Sequence, residues 1–535
     1  MNSLYYGDNL DILRKHVKDE SVDLIYLDPP FNSKRAYNVI FQDKTGLDSA
    51  AQIQAFEDSW TWTEETQKAF DEIMSGAYPA QLQNMMQAFR EFMGINNLMA
   101  YLTMMAIRLV ELHRVLKKTG SIYLHCDPTA SHYLKILMDQ IFGITLFNNE
   151  IIWKRSTAHS DFIQGAKHFG RLHDILLYYT KTDKYKWNQL YQPYDQTYIE
   201  KIYKYVDKDT GKRYTLDNIA GPGGAAKGNP KYEIMGISRY WRFSKEKMQH
   251  LISEGRIVQQ KPGNVPRYKR YLDEMPGNSL QDIWMDINPI SSFAKERLGY
   301  PTQKPITLLE RIIQTSSNEG DVVLDPFCGC GTAIAAAEKL NRNWIGIDVT
   351  HLAIALIKKR MADHFPDSKF EVIGEPKSVY DAEQLFKQSP FQFEAWAVSL
   401  LSGQPYKSKG GGDKGVDGLL FFKDGKSNYQ KIIISVKGGA YQPKDVRELK
   451  AVLERDKAPM GIIIALKPPT KGMLSEAAAM GKWKIPGVDL EFPVMQIVTI
   501  KELFEGKKPD LPQWHETLKR ANREIREKEK TLKLL

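Results

Sequence analysis

Cysteine is nearly absent: Cys126, Cys328 and Cys330 are the only three in 535 residues. Three thiols cannot build a disulfide framework and are not spaced as a four-ligand zinc site, so a reducing, cytoplasmic setting is expected. Long apolar runs are missing too. No uninterrupted stretch reaches the roughly 18 residues that span a bilayer, and the opening Met1-Asn2-Ser3-Leu4-Tyr5-Tyr6-Gly7-Asp8 has neither the basic nor the apolar region of a secretion signal. A membrane role is therefore set aside. A phosphate loop is lacking as well: Gly425-Lys426-Ser427 has Leu420 where Gly-x-x-x-x-Gly-Lys-Ser/Thr needs a glycine, so no ATP-driven step is expected of this chain. Nor is there an acidic surplus. Lys and Arg total 74 against 65 Asp and Glu, a net charge of +9 that favours anionic partners such as nucleic acid.

At roughly 100 to 200 residues per domain the length suggests two to four domains. Val22-Asp23-Leu24-Ile25-Tyr26-Leu27 reads as a strand that stops in a rigid loop at Asp28-Pro29-Pro30-Phe31. Leu98, Leu102, Met105, Leu109, Leu112 and Leu116 follow helical spacing, which predicts a helix over 96–118 with Gly120 as its stop. Strand-like 121–125 and helical 133–142 follow, an alternation that predicts a parallel α/β sheet. From about Asn149 to Pro289 regular periodicity gives way to Tyr, Trp, Lys and Arg mixed with Gly and Pro. Strand, turn, helix and strand then return between Asp321 and Asp348. A second break at 374–389 precedes a helix over 391–400 and a new α/β pattern opened by Gly410-Gly411-Gly412.

Two constellations carry chemistry. Asp325-Pro326-Phe327-Cys328-Gly329-Cys330-Gly331-Thr332 lies where a strand hands over to a helix. Its glycines permit close backbone approach to a ligand, and the helix start offers free N–H groups. Asp348 closes the next strand, where doubly wound folds place a carboxylate on ribose hydroxyls. The second constellation, Asp28-Pro29-Pro30-Phe31, suits methyl transfer to an exocyclic amine of a nucleobase: a carboxylate and a backbone carbonyl accept its N–H bonds, prolines hold the geometry, and an aromatic ring stacks on the extruded base. The cysteine pair 328 and 330 reads as packing.

In this order these motifs resemble the β arrangement of the DNA amino-methyltransferases, which make N6-methyladenine or N4-methylcytosine from S-adenosylmethionine. The catalytic motif comes first, target recognition lies in the middle, and the cofactor glycines come last. Tyr300-Pro301-Thr302-Gln303-Lys304-Pro305 resembles the family's element beside the cofactor, and Gly7-Asp8 its adenine-contacting acidic position. The resemblance covers residues 1–375. It implies a Rossmann-like methyltransferase fold with circularly permuted motif order and an inserted target-recognition region. The implied catalytic residues are Asp28, Pro29, Pro30 and Phe31. The implied cofactor-binding residues are Asp8, Gln303, Lys304, Asp325, Phe327, Gly329, Gly331, Thr332 and Asp348. Asp rather than Ser at position 28 favours adenine, with N4-cytosine the alternative; Cys126, followed rather than preceded by proline, does not match a C5-cytosine nucleophile. The substrate implied is double-stranded DNA, and the resemblance allows a homodimer. In the middle region Trp153-Lys154-Arg155, Arg239-Tyr240-Trp241-Arg242 and Pro266-Arg267-Tyr268-Lys269-Arg270-Tyr271 interleave cations with rings, as DNA contacts require.

The C-terminal pattern, Gly415-Val416-Asp417-Gly418 followed by Lys431-Ile432-Ile433-Ile434-Ser435-Val436-Lys437, resembles an Mrr-like PD-(D/E)xK restriction-endonuclease core, with Glu394 on the preceding helix. The resemblance implies catalytic Glu394, Asp417 and Lys437, with Asp417 holding Mg²⁺. Ser435 stands where that family has Glu, Asp or Gln, which removes an oxygen ligand; Asp417 and Lys437 could instead form a structural ion pair. The domains expected are a catalytic half (1–150), a target-recognition region (151–289), a cofactor half (290–376), a smaller α/β endonuclease-like domain (377–510) and a charged C-terminal helix (511–535). The function expected is sequence-specific adenine-N6 methylation, with Mg²⁺-dependent cleavage if the last α/β domain is active. The rival outside methyl transfer is a nuclease-first DNA-binding protein whose methyltransferase half is a sensor.

Overall fold

A computed structural model of the chain describes residues 2–30, 36–39, 53–57, 61–156, 167, 169–291, 294, 296–298, 300, 303–406, 415–423, 429–487 and 489–512. Phe31, Gly410-Gly411-Gly412 and all but the first two residues of 511–535 lie outside the described residues. The described parts of Met1–Asn188 and Asp282–Lys528 form one compact unit, and Gln189–Gln281 belong to a second.

The first unit is built on a nine-stranded sheet: β1 (Asn2–Tyr6), β2 (Val22–Leu27), β3 (Leu116–Cys126), β4 (Phe147–Lys154), β5 (His173–Thr180), β6 (Ile283–Trp284), β7 (Val322–Asp325), β8 (Asn343–Asp348) and β9 (Phe370–Ile373), in spatial order β6-β4-β5-β3-β2-β7-β8-β1-β9. All six residues of β2 are buried, as suits a near-continuous apolar run covered on both faces. Its one carboxylate, Asp23, accepts from the ammonium groups of Lys117 (2.7 Å) and Lys186 (2.9 Å) and from the Val322 N–H (3.0 Å). Helices Asn9–His16, Asn97–Val115 and Ser131–Phe142 cover one face through Leu13, Leu102, Leu109 and Leu134. Ile306–Ser316, Thr332–Lys339 and His351–His364 cover the other through Leu309, Ile312, Ala336 and Ile357. The result is a doubly wound α/β architecture.

Three expectations need correction. The helix predicted over 96–118 ends at Val115; Leu116 turns extended (φ −70°, ψ 133°) and pairs with Val22, so Gly120 lies inside β3 and stops no helix. Strand pairing with the central β2 outweighs the continued helical spacing there. The sheet is mixed, since β5 runs antiparallel to both β3 and β4. Finally β4, β5 and β6 place residues 151–154, 173–180 and 283–284 in the main sheet, and the second unit begins only at Gln189.

That second unit has an antiparallel sheet of Ile257–Val258, Arg267–Tyr271, Arg213–Asn218 and Tyr205–Val206, and a hairpin of Lys231–Ile234 with Ile237–Tyr240. Its small core gathers Ile219, Ile234, Trp241, Met248, Leu251 and Ile257. Within the first unit the C-terminal region forms a five-stranded sheet, Gln404–Pro405, Gly418–Lys423, Tyr429–Lys437, Met460–Ala465 and Met495–Thr499, in chain order. The first two pairings are antiparallel and the last two parallel. Helix Pro390–Ser399 packs on one side of this sheet and Pro443–Asp456 with Lys471–Ala478 on the other.

Candidate active site

Adjacent strands β2, β7, β8 and β1 end side by side, and each carries a carboxylate at or just past its C-terminal end: Asp28, Asp325, Asp348 and Asp8. Residues separated by up to 340 positions are thereby gathered at the crevice where open α/β sheets bind ligands.

The turn after β7 is shaped by two left-handed glycines, Gly329 (φ +49°) and Gly331 (φ +73°). A Cβ at Gly329 would stand 3.1 Å from the buried Tyr300 ring, and one at Gly331 would stand 2.7 Å from Ile357, so both close approaches require glycine. The Gly329 N–H donates to Asp348 Oδ2 (2.9 Å), while Asp348 Oδ1 accepts from the Thr350 N–H and hydroxyl, both at 2.8 Å. Asp325 accepts from the Phe327 N–H at 3.0 Å. Burial pushes the Asp325 carboxyl well above the usual range, and the neighbouring Asp28 and Asp348 push it further. Asp348 is raised by burial as well. The Thr332 hydroxyl accepts from the buried Arg360 guanidinium at 3.3 Å.

Asp28 follows β2 directly, with Pro29 buried behind it and Pro30 half-buried. Lys304 Nζ, itself almost fully buried, lies 2.5 Å from Asp28 Oδ2. Its neighbour Gln303 turns away from the carboxylates and closes its own loop, accepting from the Leu298 N–H (2.8 Å) and donating to the Glu296 carbonyl (2.7 Å). Asp8 caps helix Asn9–His16 by accepting from the Leu10 N–H at 2.8 Å and pairs with Arg108 at 2.7 Å.

Sequence reasoning missed two groups of residues. Arg108 is buried on helix Asn97–Val115, donating to Asp8 and, through Nε, to Asn9 Oδ1 (2.6 Å); the Asn9 amide in turn donates to the Pro326 carbonyl of the glycine turn at 2.9 Å. The signal was present, since Arg108 falls three after Met105 and four before Leu112, a lone charge on the apolar stripe. The second group is a buried chain two residues behind Asp28. The Tyr26 hydroxyl meets His125 Nδ1 at 2.8 Å, His125 Nε2 meets Asp174 at 3.1 Å, and Arg155 reaches the other Asp174 oxygen at 3.2 Å. Burial, with Asp28 next, raises the Tyr26 hydroxyl well above its ordinary value, so it stays neutral. These partners come from four separate strand ends, and no local spacing announces them.

The donor set fits S-adenosylmethionine. Buried carboxylates whose proton affinity is raised, Asp325 by burial and by Asp28 and Asp348, and Asp348 by burial, are relieved by a cationic ligand. Covalent catalysis by cysteine is a poor fit: burial pushes the thiols of Cys126, Cys328 and Cys330 upward, well above the ordinary range for Cys126 and Cys328.

At the C-terminal sheet Asp417 and Lys437 have partners other than each other. Asp417 Oδ2 accepts from the Val436 N–H (2.6 Å) and the Ser435 hydroxyl (3.3 Å), so the serine that stands in place of the usual ligand donates to Asp417. Lys437 pairs with Asp445 of helix Pro443–Asp456 at 3.5 Å. Glu394 lies half-buried on helix Pro390–Ser399. Among the described residues no three His, Cys, Asp or Glu side chains are arranged to hold a metal ion, and the Mg²⁺ expected at Asp417 finds no support.

Residues 22–359 match the N6_N4_Mtase family, DNA methylase, and residues 391–492 match NACHT-associated inactive Restriction Endonuclease 1. The chain is 30% identical to the type II methyltransferase M.EcaI of Enterobacter cloacae over 365 residues, 68% of this chain and 69% of that protein. It is 24% identical to the DNA adenine methyltransferase YhdJ of Escherichia coli K12 over 381 residues, 70% of this chain and 88% of that one. Among solved structures, the M1.HpyAVI–SAM complex aligns with 15% identity and a TM-score of 0.31, covering 68% of this chain and 99% of its own. With carboxylates, glycine turn and permuted order in place, the chain belongs to the N6/N4 DNA methylase family of S-adenosylmethionine-dependent enzymes and carries a C-terminal domain of the inactive restriction-endonuclease type.

Proposed function

We propose that this chain methylates the N6 amino group of adenine in double-stranded DNA at a defined sequence, and that its C-terminal domain does not cut. The carrying observation is the state of Asp28: one carboxylate oxygen is held by Lys304, and the other has no partner among the described residues. A fixed acceptor at a strand end beside the cofactor turn is what a conjugated amine needs. Its lone pair is delocalised into the ring until an N–H bond is accepted, and a preplaced carboxylate does this without reorganising during the reaction. Bound S-adenosylmethionine supplies the activated methyl on its sulfonium. Asp348 is suited to the ribose hydroxyls, Asp325 to the ammonium of the amino-acid end, and Asp8, oriented by Arg108, to the adenine ring. As the amine gains its methyl, Asp28 accepts the proton it sheds and passes it to solvent. Lys304 keeps the carboxylate aimed, and the Tyr26–His125–Asp174 chain stiffens the strand ends behind it.

Adenine is favoured over cytosine by Asp at the head of Asp28-Pro29-Pro30-Phe31 and by the adenine methyltransferase among the relatives. Nucleoside mass spectrometry of DNA incubated with the protein and S-adenosylmethionine tests this. N6-methyladenine is expected; N4-methylcytosine would overturn the base assignment, and neither product would overturn the activity.

A further inference from the structure

Strands β2, β3 and β5 are neighbours, and their pairing gathers polar side chains beside Asp28. Leu27 stands opposite Leu124 and Cys126 opposite Ile175; Asp28 and His125 come one residue after the first pair, and Asp174 one residue beyond the second. Tyr26, Tyr123 and Leu176 pack with the helix Ile306–Ser316, and strand alternation puts His125 and Asp174 on that same face. Lys304 lies two residues before this helix. Tyr26, His125 and Asp174 are all at most 2% exposed, and a charge at that depth persists only where it is paired.

Asp174 is the end point of two arms that lead to Asp28. In the first, its Oδ2 lies 3.1 Å from His125 Nε2; a carboxylate only accepts, so Nε2 carries the proton, and His125 Nδ1 meets the Tyr26 hydroxyl at 2.8 Å. Tyr26 stands two residues before Asp28 on β2. In the second, the Lys304 ammonium, 2.5 Å from Asp28 Oδ2, also attracts Asp174. Burial raises the Asp174 carboxyl, but His125, Lys304 and Arg155, whose Nε is 3.2 Å from Oδ1, outweigh it and hold the carboxyl below its ordinary range, so Asp174 is ionised. Asp28, Lys304, Asp174, His125 and Tyr26 thus form a ring that closes through the backbone of β2. None of the motifs around Asp28, Tyr300 or Asp325 includes Asp174.

We infer that Asp174 is a positioning residue for methyl transfer, drawing Lys304 into place on Asp28 from one side and, through His125 and Tyr26, fixing the strand end that carries Asp28 from the other. This rests on the proposed methylation of DNA and adds the residue on which both supports end. The acceptor oxygen must stay within about 0.5 Å of its productive place, and a misplacement of about 1 Å can cost about a hundredfold in rate. Pro29 and Pro30 restrict the backbone after Asp28 and leave its side chain free to turn, so the carboxylate needs a fixed cation. Asp174→Asn keeps the volume, removes the charge that attracts Lys304 and weakens the bond to His125.

The test compares full-length wild type with Asp174→Asn, Tyr26→Phe and the double variant. Tyr179→Phe is the control, since it removes a hydroxyl bonded to Asp139 (2.7 Å) towards the far end of the same strand as Asp174. The single-turnover rate of methyl transfer is measured on a duplex that wild type methylates, with the affinities for that duplex and for S-adenosylmethionine. Asp174→Asn is expected to lower the rate about ten- to hundredfold and Tyr26→Phe about three- to tenfold, with both affinities within about twofold of wild type. The double variant should be within about twofold of Asp174→Asn alone, because Tyr26 acts through Asp174. Tyr179→Phe should keep the wild-type rate. Tyr26→Phe leaves every charge in place, so it reads the chain even if Asp174→Asn does not fold. A wild-type rate in either folded single variant would overturn the inference. So would a double variant whose loss is the product of the two single losses, or a fall in cofactor affinity as large as the fall in rate. Wild-type protein that methylates no DNA would instead overturn the proposed function.

Discussion

Arg108→Ala is predicted to cost about 3 kcal/mol of stability in the unit that holds the main sheet and to weaken cofactor binding about tenfold. The magnitude follows from what each lost contact leaves behind. Asp8 is half-exposed and rehydrates when its partner goes, so that ion pair contributes about 1 kcal/mol or less. The Asn9 carbonyl oxygen lies in the buried interior and would lose the guanidinium Nε at 2.6 Å, a cost of about 1 to 3 kcal/mol for an unsatisfied acceptor. The buried aliphatic stem leaves a cavity worth about 1 kcal/mol more. Against this, burial disfavours the charged guanidinium and holds Arg108 below its ordinary value, so removing it returns part of the cost. Arg108→Met separates the terms, since it refills the stem's volume and restores no hydrogen bond; it should sit between wild type and Ala. Thermal unfolding followed by a probe in the main-sheet unit, with titration calorimetry of S-adenosylmethionine, reads both effects. Binding suffers because Asn9 also holds the Pro326 carbonyl of the glycine turn. A loss below about 0.5 kcal/mol, the level of an ordinary surface change, with unchanged affinity would refute the claim that Arg108 organises this corner of the site.

Asp28→Asn removes the charged acceptor while nearly conserving shape, so kcat should fall about 100- to 1,000-fold with cofactor affinity within about twofold of wild type; a collapse of affinity in calorimetry would mean that Asp28 serves the cofactor instead of the amine. Because Asp325 and Asp348 hold protons more tightly when folded, the ligand-free chain binds more protons than the unfolded chain just above the ordinary carboxylate range, and these groups' contribution to stability falls as pH rises through that window. A cationic ligand favours the ionised carboxylates, so S-adenosylmethionine should release protons on binding and gain affinity with rising pH across the same window. Calorimetry in buffers of different ionisation enthalpy measures the release, and proton uptake would contradict the site. Supercoiled plasmid incubated with the protein and Mg²⁺ should remain uncut on a gel, because Asp417 is committed to Val436 and Ser435 and Lys437 to Asp445; cleavage that disappears in Lys437→Ala would reverse that reading.

The parts of this protein legible in its sequence are those that local chemistry determines. A continuous apolar run followed by Asp28-Pro29-Pro30 marks a buried strand and its end, and the glycines at 329 and 331 mark a turn in left-handed backbone with little room for a Cβ. What stayed hidden depends on strand order and pairing. Whether Leu116 continues a helix or starts β3 is decided by pairing with Val22, ninety-four positions away. The antiparallel placement of β5 is decided by neighbours that the chain meets only after folding. In the site, sequence gives the carboxylates but not their keepers: Lys304 was read as a cofactor residue and sits on Asp28, while Gln303 beside it serves its own loop. Tyr26, His125 and Asp174 form one chain only because β2, β3 and β5 lie close in the sheet order. Likewise, basic-aromatic composition flagged both 239–242 and 266–271, and only folding reveals that Lys269 and Arg270 are engaged by Asp207 and Asp217.

The most direct test of the central claim is to express the chain in a host without DNA methylation and sequence that host's DNA at single-molecule level, reading modified base and motif together. N6-methyladenine confined to one motif, and absent with Asp28→Ala, is the predicted result. Intact, folded protein that binds S-adenosylmethionine yet leaves every adenine unmodified would contradict the account.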